Sequence, residues 1–248
     1  MADPARGAAS LPGGFLPSAA PRPIDATVAA SVFLGSWLVA QLVAAAIVAA
    51  LHGTDPGVDP TFSVTAAALV GAWGTYLVGM WLASERAGSG SMVDDYGFRF
   101  RWVDIGGLAV GALGNLVLIP IVYLPLEAIW PDTFSDDRLT ENARDLVDRA
   151  SGSSTLLLVL IVVVGAPIVE ELFYRGLLQR SLAARFREGA VVVAVAALFA
   201  VLHFRPIEIP GLFVIGLVFG IAALRTGRLG TAIMIHMGFN ATGLLQAW

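Results

Sequence analysis

TLLLVLIVVVGAPIVEELFYR, residues 155–175, carries no charge from Thr155 to Val169, then places Glu170 beside Glu171 and Arg175 four residues on. A helix needs about 20 mostly apolar residues to cross a bilayer, so this one reaches full length only by taking the acidic pair inside. A charge at the centre of a membrane helix costs roughly 2.5–3.5 kcal/mol on insertion scales, and a segment that keeps such charges is a functional-site candidate by default.

Outward from it the chain is of the same kind. Apolar spans precede it at Thr27–Leu51, Thr61–Ser84 and Ile105–Leu126, and follow it at Ala190–Phe204, Ile207–Leu224 and Leu229–Ala247. The 248 residues are 57% hydrophobic and 14% charged, against about 45–50% and about 25% in a soluble domain. The expected fold is all-α: a polytopic integral membrane protein with about seven transmembrane helices in one bundle over residues 27–248. Residues 1–26, rich in Ala, Pro and Gly, read as a disordered tail without the layout of a cleavable signal peptide.

Composition excludes several functions. There is no Cys, hence no disulfide, Cys-ligated zinc or Cys nucleophile. Every basic residue is Arg, the net charge is only −4, and no basic patch suits a nucleic acid. Arg6 and Arg22 precede the first span, and the loop His52–Pro60 has no Arg. Further Arg clusters follow the second, fourth and sixth spans. The positive-inside rule then puts the N-terminus in the cytoplasm. Arg138, Arg144 and Arg149, between Glu127 and Ser154, are an exception to that pattern. The lysine-free, Ala-, Gly-, Val- and Arg-rich composition is that of a GC-rich bacterial genome, with the plasma (inner) membrane as the location. In the Glu127–Ser154 loop, Leu139, Ala143, Leu146, Val147 and Ala150 share one helical face behind a Ser135-Asp136-Asp137 cap, which reads as a surface helix or a gate over a cavity.

Glu171 and Arg175 are four apart in the favourable order and can pair, while Glu170 lies about 100° round the helix and stays free. One neutralised pair beside one unpaired carboxylate is how a site obtains a general base. Two more motifs stand in apolar spans: Phe199 to His203, and His236 to Asn240, whose His and Asn share a face. If the chain turns near Arg187–Gly189, Glu170 and His203 come level across the hairpin at 1.5 Å per residue. His52, beside Gly53 at a helix end, reads as interfacial. Each motif alone suits packing, a salt bridge or helix–helix hydrogen bonding. An unpaired Glu, two His and an Asn together form a set able to activate water.

The three motifs, EExxxR, FxxxH and HxxxN in this order, resemble those of the CPBP intramembrane proteases, the group that includes the type II CAAX prenyl endopeptidases and the Abi proteins. Ala166-Pro167-Ile168-Val169, Arg175-Gly176-Leu177-Leu178 and Gly216-Leu217-Val218-Phe219-Gly220 extend the resemblance, which runs from about Asp95 to Asn240 and marks a catalytic core over about 95–248. It implies peptide-bond hydrolysis within the membrane. Glu170 would activate water, His203 would hold that water, and His236 and Asn240 would stabilise the oxyanion. Glu171, Arg175 and Phe199 would support them. A divalent metal, zinc, on Glu170, His203 and His236 is the alternative the donor set leaves open; the metal-free version is the one favoured here. The expected partners are a peptide or membrane-protein substrate and the lipid bilayer, with no prenyl specificity encoded. The rival readings are a non-hydrolytic binding or immunity protein using the same cavity, and an ion-coupled transporter. No internal repeat supports the latter.

Overall fold

The computed structural model describes residues 23–53, 59–150, 152 and 154–248. The expected tail lies outside them up to Arg22. Ile24 is already buried, and Asp25 caps the first helix by accepting from the N–H groups of Thr27 and Val28 at 2.8 and 3.3 Å.

The described residues form helices and no strand. In chain order they are α1 (Ala26–Leu51), α2 (Phe62–Ala87), α3 (Met92–Tyr96), α4 (Trp102–Ile129), α5 (Asp136–Arg149), α6 (Ser154–Ala183), α7 (Glu188–Val201), α8 (Pro206–Thr226) and α9 (Gly230–Ala247). Five of them, α1, α2, α4, α6 and α8, are long and apolar enough to cross a membrane. The other two expected spans fall short for visible reasons. Helix α7 has 14 residues, and in α9, of 18 residues, His236, Asn240 and Gln246 dilute the hydropathy.

Close approach between helices comes from small residues. A Cβ on Gly107 or Gly111 of α4 would run into the α9 backbone, and one on Gly238 of α9 would meet the backbone of Leu108. On the other side, Gly71 and Gly79 of α2 make room for Ile47 and Ser36 of α1, and the Thr75 hydroxyl donates to the Ser36 carbonyl at 3.3 Å. Where hydrocarbon surrounds a bundle, such contacts supply the packing that the hydrophobic effect supplies in water. Asp104 fastens the start of α4 to the α8–α9 turn, accepting from Arg228 at 2.7 and 3.1 Å and from Thr231.

Helix α5 has the amphipathic face read from the sequence: Ala150 is buried, and Leu146 and Val147 pack with Phe62, Leu158 and Leu244. Ser135 stands at its N-cap position with extended backbone, but its hydroxyl makes no capping bond. The main core is centred on α6. Phe173 is sandwiched between Phe33 of α1 (centroids 4.3 Å apart, 18°) and Tyr76 of α2 (4.1 Å, 11°).

Candidate active site

Helix α6 is not regular where it carries the motif. It is π-helical over Leu160–Gly165 and again over Glu171–Gln179, with Ala166–Glu170 as an α-helical turn between. Such i→i+5 segments are uncommon and occur frequently at functional sites. Glu171–Gln179 is buried residue for residue, so Glu171, Arg175 and Gln179 must all find partners inside the protein.

Glu171 has a fully enclosed side chain, and its Oε1 accepts from two sides: from Nη1 of Arg175 at 3.0 Å and from Nδ1 of His236 at 3.0 Å. Arg175 donates from Nη2 to the carbonyl of Gly216 at 3.0 Å. Its guanidinium carbon lies 4.6 Å from the Phe199 ring centroid and 5.3 Å from that of Phe219, a cation–π enclosure. One turn on, Gln179 repeats the pattern by donating to the carbonyl of Gly220 at 2.9 Å. These two glycines of α8 and their polar partners on α6 are site-supporting contacts that the motif alone does not announce; the matching four-residue spacings, 175/179 and 216/220, are the signal.

The Glu171 carboxylate can only accept, so the His236 nitrogen facing it carries the proton. In the neutral ring Nε2 is then a lone pair, and it faces Oε2 of Glu170 at 3.9 Å. The imidazole lies flat on Phe219, centroids 4.5 Å apart. Glu170 makes no hydrogen bond with a described residue, and its side chain keeps 21% of its surface accessible. The two adjacent carboxylates thus occupy different environments: Glu171 is doubly bonded and sealed, Glu170 unbonded and reachable.

His203 lies in the turn beyond α7 rather than in the helix, which ends at Val201. Its ring is bonded through Nδ1 to the carbonyl of Phe199 at 2.6 Å, the acceptor its own backbone N–H would use in a continuing helix. That N–H shifts to Ala200 at 3.4 Å, and Phe204 takes φ +54°. Pro206 then bars Arg205 from the helical region. With Nδ1 so occupied, Nε2 of His203 is left for a ligand. Phe199 is the common neighbour, edge-on to His203 at 4.5 Å and to His236 at 6.0 Å.

Asn240 donates from Nδ2 to the carbonyl of Val162 at 2.8 Å. No group of three or more His, Asp or Glu side chains is arranged to hold a metal ion among the described residues. Of the alternative set Glu170, His203 and His236, the first and last face each other at 3.9 Å and His203 lies edge-on to Phe199.

Residues 152–242 match the family model described as type II CAAX prenyl endopeptidase Rce1-like. This segment of the chain is similar to that family. The Rce1-like segment contains α6 to α9 nearly whole, and with them Glu170, Glu171, Arg175, Phe199, His203, His236 and Asn240. It begins at 152, later than the resemblance from about Asp95, and leaves α1 to α5 outside. The chain is also 25% identical over 148 residues to the "Uncharacterized 24.3 kDa protein" of Escherichia coli, across 57% of this chain and 61% of that protein. The match therefore spans about three fifths of the relative's length. No solved structure matches the chain.

Proposed function

We propose that this protein is an intramembrane endopeptidase that hydrolyses a peptide bond without a metal. The observation that carries the reading is the division between the two glutamates: Glu171 sealed, its Oε1 held by Arg175 and His236, and Glu170 accessible and 3.9 Å from His236 Nε2. The match of residues 152–242 to the Rce1-like prenyl endopeptidase model supports it.

Glu170 is the base. It takes a proton from a water whose other hydrogen is accepted by Nε2 of His203. The water oxygen bonds to the scissile carbonyl carbon, and the C=O π pair moves onto oxygen. Asn240, with its second Nδ2 hydrogen, and His236, when protonated at Nε2, donate to that oxygen. Preorganised donors of this kind are worth about 2.7–4 kcal/mol each. Collapse expels the amine, which leaves with the proton Glu170 had taken. Glu171, itself held by Arg175, fixes the His236 ring through Nδ1 with Nε2 toward Glu170. The substrate is a peptide or membrane protein reached within the plasma membrane, and the N-terminus faces the cytoplasm.

The test compares peptide termini in membranes of cells expressing wild type and Glu170→Gln at matched levels. Termini present only with the wild type are expected. Identical terminus profiles would leave the non-hydrolytic binding or immunity reading, in which the same cavity holds a partner.

A further inference from the structure

His203 sits in the turn that joins α7 to α8, and the Phe199 carbonyl holds its ring from the α7 side. The other side of that turn is held from α4. The Tyr123 hydroxyl donates to the Ile207 carbonyl at 2.8 Å and accepts from the Gly211 N–H at 3.2 Å. Those two backbone groups are four residues apart, the pair that an α-helix would bond directly. The hydroxyl bridges them instead, and regular α-helix starts only at Ile209. Such a bridge needs one donor and one acceptor on the same atom, and a phenol supplies both.

The packing is made for this contact. Tyr123 is 5% exposed, and a Cβ on Gly211 would crowd its ring at 3.0 Å and its oxygen at 3.1 Å. Little slack separates His203 from Ile207. The Phe204 N–H donates to Val201 at 3.1 Å, that of Glu208 to Arg205 at 2.9 Å, and that of Ile209 to Pro206, whose ring fixes its own φ. A displacement of Ile207 is therefore passed along the turn to His203.

We infer that Tyr123 is a positioning residue: from α4 it sets where the His203 turn stands, and so where Nε2 of His203 meets the attacking water. This rests on the protease reading above. Tyr123 itself touches no reacting atom. It belongs to a helix outside the 152–242 match, so the turn within that match is anchored by a part of the chain beyond it.

The experiment uses the full chain in detergent as wild type, Tyr123→Phe and Gly211→Ala, with isotope-labelled histidine. The chain holds three His, His52, His203 and His236, so the imidazole NMR signals can be assigned by single substitutions. Tyr123→Phe keeps the ring and removes the bridge; Gly211→Ala keeps the hydroxyl and pushes the ring aside. In both, the His203 signals should shift or broaden, while those of His236, held by Glu171, stay in place. With the peptide spanning a Glu170-dependent terminus, kcat should fall about tenfold to a hundredfold at a KM within about twofold, the cost of an ångström-scale misplacement. In a His203→Ala background neither substitution should lower kcat further. Unmoved His203 signals, His236 signals that move alongside, wild-type kcat, or the same fold loss with and without His203 would each overturn the role of Tyr123 and leave the protease reading intact. Absence of any Glu170-dependent terminus would overturn both.

Discussion

Asn240 bonds to Val162 where a backbone N–H is missing. The Ala166 N–H goes five residues back, to Ile161, so in the same register Val162 should receive from residue 167, which is Pro and has none. The amide of Asn240, at 2.8 Å, takes that place and ties α9 to the π-helical turn of α6.

Asn240→Ala should therefore lower stability as well as turnover, by about 1–3 kcal/mol for the orphaned carbonyl. Pro167→Ala in the same chain restores an N–H and should recover most of that stability, read from thermal unfolding in detergent. Turnover should stay low. Recovery of both would leave Asn240 a structural residue and remove it from the oxyanion role.

Glu171→Ala strands Arg175 inside the protein and frees His236 from its partner. Removing one member of a buried pair costs about 3–5 kcal/mol, whereas replacing both by apolar residues is often far less damaging. The double change Glu171→Leu, Arg175→Met should accordingly be more stable than Glu171→Ala yet equally inactive. A well-folded, active Glu171→Ala would refute the coupling of Glu171 to both partners.

Glycine positions should divide by what surrounds them. Gly111→Ala meets the α9 backbone and should destabilise by about 1–3 kcal/mol, the cost of overpacking. Gly35→Ala, in mid-helix with nothing within 4 Å, should be neutral or stabilising by about 0.4–1 kcal/mol. Equal effects in unfolding measurements would contradict the α4–α9 packing.

Chelation supplies a separate check on the chemistry. Incubation with EDTA or 1,10-phenanthroline should leave the cleavage rate unchanged. Full inhibition that zinc reverses would replace the glutamate-base mechanism with a metal-bound water.

The wide aromatic enclosure of Arg175 bears on how much a one-dimensional reading can reach. Its pairing with Glu171 is a local event, four residues apart on one helix, and local spacing announces it. That Phe199 and Phe219 close over the guanidinium, and that Gly216 accepts its second hydrogen-bonding arm, depends on α7 and α8 arriving at the same place.

His203 shows the same limit from the other side. An apolar run through Phe204 reads as helix, because hydropathy does not register a ring that takes its own helix's carbonyl. Competition for the Phe199 carbonyl and the restriction imposed by Pro206 end the helix at Val201, two residues early.

The sequence by itself determined the all-α membrane class, the positions of the spans, the surface helix and the three motifs, because hydropathy and residue spacing are properties of consecutive residues. Only the tertiary structure decided that Glu171 holds His236 and that Asn240 replaces the donor Pro167 lacks. Those contacts join residues 65 and 78 apart in the chain, and such pairs meet only through helix packing that glycine-lined interfaces set.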